Sequence, residues 1–175
     1  MGFKEFPKLL EFAMNGGYFE VADLKGKYAF IDVDGVLAPL WFGGFDEYDS
    51  SDHMKVGTRM PPGTMLNRRP AKIMQDIINA GIFREAVVIG HITYGFEETQ
   101  EKESWLNIYY PSIKKRIWLD HDIRKGSVID AHVNALEINK SDAVFIDDTL
   151  GELIYALRNH SIPPVHVSTL LNLEV

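Results

Sequence analysis

Five short runs of apolar and β-branched residues punctuate the chain: YAFIDV at 28–33, AVVIGHI at 86–92, RIWL at 116–119, AVFID at 143–147 and PVHVS at 164–168. Each has the length and residue types of a strand. The clearest are almost continuously apolar rather than alternating, which is the pattern of strands buried on both faces of a parallel sheet. Between them the spacing turns helical. PAKIMQDIINAG predicts a helix that opens at Pro70 and closes at Gly81, with Ile73, Met74, Ile77 and Ile78 as its buried stripe. EETQEKESWLNIYY predicts a second, with Trp105, Leu106, Ile108 and Tyr109 near one face and Pro111 beyond its end. A third helix is expected from about Ser127 to Ile138. A fourth runs to about Asn159, with Leu153, Ile154 and Leu157 inward and Pro163 and Pro164 past its end. The alternation βαβαβαβαβ predicts an α/β fold, an open doubly wound sheet whose site lies at the carboxyl ends of the strands.

Residues 38–68 interrupt this alternation. They carry Gly43-Gly44, Pro61-Pro62-Gly63 and an acidic group at Asp46, Glu47, Asp49 and Asp52. A long irregular insertion leaving the carboxyl end of the first strand reads as a lid, and its acidic group as a solvated loop. Trp41, Phe42, Phe45 and Tyr48 are its aromatics, placed to stack on a substrate ring, pack an interface or anchor the loop. At 175 residues the chain fits one domain, 1–175, with this insertion inside it.

The formal net charge of −7 works against a broad electrostatic grip on duplex nucleic acid. With no cysteine, disulfides and thiolate metal sites are excluded. Glu5, Pro7, Lys8 and Glu11 break every apolar run near the start, so neither a signal peptide, a spanning helix nor a membrane anchor is expected, and the cytoplasm is the default location.

The first strand ends IDVDGVLA, which sets Asp32 and Asp34 two residues apart at the entry to a glycine turn. Taken alone, this is as well explained by a turn with solvated aspartates. The fourth strand, however, ends AVFIDDT and brings Asp147 and Asp148 to a second terminus in the same crevice. The bland explanation of that pair is a helix N-cap with a solvated neighbour. Four converging carboxylates would repel one another without a cation, and an all-oxygen donor set favours Mg²⁺. A carboxylate beside such an ion can attack phosphorus while a second one protonates the leaving oxygen.

IDVDGVL resembles the first motif of the haloacid dehalogenase (HAD) superfamily, and FIDDT resembles its fourth. The Thr that family expects after the second strand is supplied by Thr93 in AVVIGHITYG, and the Lys before the fourth strand by Lys125 in DIRKGSVID. The resemblance spans about 115 residues, from Asp32 to Asp148. It implies a Rossmann-like three-layer sandwich around a mostly parallel five-stranded sheet with a small loop-like cap. It also implies Asp32 as nucleophile, Asp34 as general acid and base, and Thr93 and Lys125 as holders of the phosphoryl oxygens. Mg²⁺ would be bound by Asp32, Asp34, Asp147 and Asp148, with Asp34 offering its backbone carbonyl. Lys102, Lys114 and Lys115 read as solvated surface charges, and His91 as a residue that packs and satisfies its nitrogens locally. His121, Asp120 and Asp122 stay outside the expected site.

KESWLNIYYP followed by RIWLDHD resembles the 5′-nucleotidase and deoxyribonucleotidase branch, which implies a small phosphorylated substrate such as a nucleotide. No helical cap domain fits between Asp32 and Thr93, so the site should be open unless a neighbouring subunit of a homo-oligomer covers it. Three other functions compete: a non-catalytic HAD-like domain that binds phosphate or a partner, a glycosyltransferase using Asp32 and Asp34 as a metal clamp, and a polynucleotide 3′-phosphatase, which the acidic charge disfavours.

Overall fold

The computed structural model of the chain describes residues 21–38, 65, 68–93 and 95–170. Most of the 38–68 insertion, with its four aromatics and its acidic group, lies outside them. The strands are β1 (Tyr28–Ile31), β2 (Glu85–Ile92), β3 (Lys115–Asp120), β4 (Ala143–Asp147) and β5 (Pro164–His166). They form one sheet in the order β3-β2-β1-β4-β5, and every neighbouring pair is parallel. The chain steps outward from β1 to β3, then crosses to the other side of β1 to lay down β4 and β5. The carboxyl end of β1 is therefore the point where the strand order reverses, and a crevice opens there in doubly wound sheets.

The helices are α1 (Val21–Leu24), α2 (Lys72–Asn79), α3 (Phe96–Tyr109), α4 (Lys125–Ala135) and α5 (Leu150–His160). Strand residues alternate between faces, and two cores result. Ala29, Ile31, Val33 and Val88 pack with Met74, Ile77, Trp105 and Leu106 of α2 and α3. Phe30, Val87 and Ile89 pack on the opposite face with Ile129, Val133, Leu153 and Ala156 of α4 and α5. The result is the expected three-layer α/β sandwich, with the sheet wholly parallel.

Several boundaries differ from expectation for identifiable reasons. The helix expected from Pro70 begins at Lys72, with Ala71 extended as its cap, and Gly81 ends it at φ +66° while Ile82 N–H reaches back to Ile77 O. Ile108 does not join the buried face of α3 and is 62% exposed. It stands about 200° around the helix from Leu106. The third helix begins two residues earlier than expected, at Lys125, and ends at Ala135. β5 stops at His166, and Val167–Leu170 turn into a short 3₁₀ helix.

The residues flanking the insertion are tied together by hydrogen bonds. Ala71 N–H donates to Leu37 O at 2.9 Å. The buried Tyr110 hydroxyl lies 3.0 Å from Leu37 O and 3.2 Å from Ala71 O. Among the described residues no helix is long and apolar enough to cross a membrane.

Candidate active site

Asp32 is the first residue past β1, and its N–H still donates to Ile146 O of β4 at 3.0 Å. Period-two alternation puts its side chain on the Phe30 face, towards α4. Lys125, the first residue of α4, meets it there. The Lys125 ammonium is 2.8 Å from Asp32 Oδ1 and 2.9 Å from Asp147 Oδ2, and all three side chains are buried. The other oxygen of Asp147 accepts from Thr149 N–H at 2.7 Å, so β4, its carboxylate and the start of α5 are locked together. The start of α4 is held by Glu152 of α5. That buried carboxylate accepts from Lys125 N–H at 3.1 Å and from Arg124 at 2.6 Å, a placement that suits an anion at a helix N-terminus.

Gly35 suits this turn by its backbone and keeps room for the Asp148 carboxylate. Its φ of +82° is costly for any residue with a Cβ, and a Cβ there would lie 2.0 Å from Asp148 Oδ2. Asp148 is thereby brought against the turn that follows Asp32. Asp32, Asp147 and Asp148 each offer a carboxylate oxygen, and these atoms lie within 4.8 Å of one another, a cluster that could hold a metal ion. Lys125 faces two of the three. Burial pushes the Asp32 carboxyl up to about 7, with Lys125 pulling against it and Asp147 and Asp34 reinforcing it. Asp148 is likewise raised, by burial and then by Asp147. A surplus of negative charge on hard oxygen donors is what a divalent cation such as Mg²⁺ relieves, so the residues fit the ion that the sequence implies.

The Asp34 carboxylate points elsewhere. It is 2.6 Å from Arg68 and 2.8 Å from Lys102. Burial works to raise its pKa, but Lys102 and Arg68 together hold it below the usual carboxylate range. Of the four aspartates expected around the metal, Asp34 thus keeps its carboxylate out of the cluster and retains only its backbone carbonyl for such a role.

Lys102 is not the solvated surface charge expected from the sequence. It is 4% exposed, and its ammonium contacts Asp34 Oδ2, Glu98 Oε1 at 2.7 Å and His91 O at 2.8 Å. Helical spacing held the clue, since Lys102 stands three and four residues before the buried Trp105 and Leu106. Arg68, the last residue of the 38–68 insertion, and Glu152 carried no signal that singled them out in the sequence. Lys114 and Lys115 are exposed, and Lys115 pairs with Glu85.

Thr93 is exposed just past β2, and its N–H is bonded to Glu98 Oε2 at 2.8 Å. The cleft over Asp32 has a volume of about 340 Å³, and its walls are Asp32, Asp34, His91, Lys125, Asp148, Thr149 and Glu152. His91 is among them and Thr93 is not. Part of the local satisfaction expected of His91 is present: its half-buried ring donates from Nε2 to Ile123 O at 2.8 Å. Asp120, His121 and Asp122 are exposed and stand apart from the cleft walls.

Fold and site together define an α/β protein with a buried carboxylate–lysine cluster at its topological switch point. No family model and no curated protein matches the chain. Among solved structures it is similar to an uncharacterised protein from Listeria monocytogenes serotype 4b, with 13% identity and a TM-score of 0.51 over 80% of this chain and 77% of that one. It also matches a hypothetical protein from Xanthomonas campestris at 14% identity and TM-score 0.43, over 83% of this chain and 65% of that one. A third match is 3-deoxy-D-manno-octulosonate 8-phosphate phosphatase from Moraxella catarrhalis in complex with magnesium, phosphate and KDO. There the identity is 18% and the TM-score 0.42, over 76% of this chain and 63% of that one. The chain spans just under two thirds of the Xanthomonas and Moraxella proteins. The Listeria likeness bears on the fold, which it shares.

Proposed function

We propose that this chain is a Mg²⁺-dependent phosphomonoester hydrolase of the HAD type, working through an aspartyl-phosphate on Asp32. The observation that supports it best is the carboxylate cluster of Asp32, Asp147 and Asp148, the first two buried and paired with Lys125, with Asp34 held two residues along the chain by its own pair of cations. A nucleophile needs a fixed direction, and Lys125 holds Asp32 by one oxygen, leaving the other for phosphorus. The P–O bond to Asp32 forms as the bond to the leaving oxygen breaks, and Asp34 supplies the proton that oxygen takes. Water then attacks the acyl phosphate, Asp34 accepts its proton, and phosphate leaves. Mg²⁺ on Asp32, Asp147 and Asp148 would neutralise charge on the phosphoryl oxygens, beside Lys125.

Asp34 as it stands is ionised, which suits the second half of this cycle. To act first as an acid it must gain a proton, a change favoured by an arriving phosphate dianion and opposed by Lys102 and Arg68.

A cleft of about 340 Å³ suits a small phosphorylated metabolite. The Lys-x-x-Trp-Leu resemblance to nucleotidases is carried by residues with architectural contacts: Trp105 is fully buried and donates to Arg68 O at 2.9 Å, and Lys102 holds Asp34. Nucleotides therefore share the first rank of candidates with sugar phosphates. The Asp-x-Asp clamp of a glycosyltransferase is disfavoured because the Asp34 carboxylate is engaged by Arg68 and Lys102.

The test is phosphate release from a panel of nucleotides, sugar phosphates and an aryl phosphate, with Mg²⁺ or EDTA, beside Asp32→Asn. Metal-dependent turnover that the variant abolishes is expected. A folded, Mg²⁺-binding protein that turns over nothing in the panel would instead be a phosphate- or partner-binding domain.

A further inference from the structure

We infer that His91 contacts the phosphoryl group from β2, through its Nδ1 atom, in the place where the motif order would put a threonine hydroxyl. The inference rests on the phosphatase reading above and concerns which side chain β2 contributes to it.

Strand geometry comes first. β1 and β2 run parallel with Phe30 opposite Val87 and Ile31 opposite Val88. Side chains alternate, so the Val87, Ile89, His91 row faces the same side as Phe30 and Asp32, towards α4 and Lys125. His91 thus projects on the nucleophile's side of the sheet, and it lines the cleft with Asp32 and Lys125. Thr93 lies beyond the end of β2, exposed and outside the cleft walls, with its N–H turned to Glu98.

Gly90 offers the cleft nothing, because it lies on the other face of β2, where a Cβ would lie 2.8 Å from the Trp118 ring of β3. His91 is the residue of β2 among the cleft walls.

Its orientation is fixed from two sides. The Ile123 carbonyl can only accept, so the contact at 2.8 Å assigns the proton on Nε2. The His91 backbone carbonyl receives the Lys102 ammonium that also holds Asp34. With Nε2 committed to the β3–α4 connection, Nδ1 is the ring atom left to meet a ligand. Nδ1 is then the atom placed to form a hydrogen bond with a phosphoryl oxygen.

Two amide substitutions separate the nitrogens, because Asn places its NH₂ near the Nδ1 position and Gln near the Nε2 position. Binding of inorganic phosphate to the full chain with Mg²⁺ is measured by calorimetry for wild type, His91→Asn, His91→Gln and Thr93→Val. His91→Gln is expected to weaken phosphate binding about ten-fold or more, the loss of one charge-assisted hydrogen bond, while His91→Asn retains most of it. The inference is overturned if His91→Gln binds as wild type, if the Asn and Gln variants lose affinity equally, or if Asn loses it and Gln keeps it, which marks a loop anchor. Loss confined to Thr93→Val overturns it as well. A wild type that neither binds phosphate nor turns over any substrate brings down the phosphatase reading and this one together. A wild type that does both, with His91→Gln unaffected, overturns this inference alone.

Discussion

A buried ammonium is tolerated when each of its protons has an acceptor, and Lys102 has three: Asp34, Glu98 and the His91 carbonyl. Replacing it by Met leaves those acceptors facing an apolar side chain, which costs about 1–3 kcal/mol, and a lower urea midpoint checks this. It also leaves Asp34 with Arg68 as its remaining described cation, so the carboxyl rises from its depressed position and is protonated more often at neutral pH. In the proposed mechanism a protonated Asp34 would still serve the leaving group but would be a poorer base for the water that follows. Lys102→Met should therefore release a burst of leaving group equal to the enzyme and then turn over slowly. Steady turnover with no burst would show that Lys102 does not govern Asp34. Asp32, Asp34, Asp147 and Asp148 stood out in the sequence because they follow apolar, strand-like runs, and Lys125 stood out only through the motif resemblance. Lys102 did not, because charge alone suggests solvent and only the helical period shows the buried side.

At the scale of elements, the close approach of α4 and α5 sets where Lys125 stands. A Cβ on Gly126 would lie 2.7 Å from Ala156 Cα and 2.9 Å from Ala156 Cβ, and backbone does not yield as a side-chain tip would. Gly126→Ala gains about 1 kcal/mol or less of helix propensity and loses about 1–3 kcal/mol to overpacking. The expected result is a lower urea midpoint, together with weaker phosphate binding as Lys125 is displaced. A midpoint unchanged or raised would mean that the helices separate freely. The strands were readable to within a residue or two, because nearly continuous apolar runs of that length have few other uses in a parallel sheet. The helix ends were harder. α2 starts at Lys72 rather than Pro70 because residue 71 is extended and serves as the cap. β5 ends at His166, whose ring contacts Ser168 and Asp148 O. Propensity cannot foresee such a local hydrogen-bonded turn.

For the whole molecule, the cluster ties folding to pH and to metal. Asp32 holds its proton up to about 7 in the folded chain, against an ordinary value of 3.8. Between those two values the folded state binds more protons than the unfolded one, so this group's contribution to stability declines as pH rises through that window. Mg²⁺ held by this cluster would engage the ionised carboxylates, so its stabilising effect should be small near about pH 5 and large near about pH 8. Melting temperatures with Mg²⁺ and with EDTA across that range test this, and a metal effect independent of pH would sink it. The order of strands was legible only as a class: βα alternation predicts a doubly wound sheet, whereas the crossing from β3 to β4 is a tertiary fact. The 38–68 stretch was legible as a departure from that pattern, and its reading as a lid falls almost wholly outside the described residues. Its stem has a consequence of its own. Leu37 and Ala71 are bonded to each other and both lie against the Tyr110 hydroxyl, so the two chain ends are stapled independently of what runs between them. Lengthening a closed loop costs only about 0.6 kcal/mol per doubling. The scaffold can thus accept a longer or shorter segment between those ends at little thermodynamic penalty.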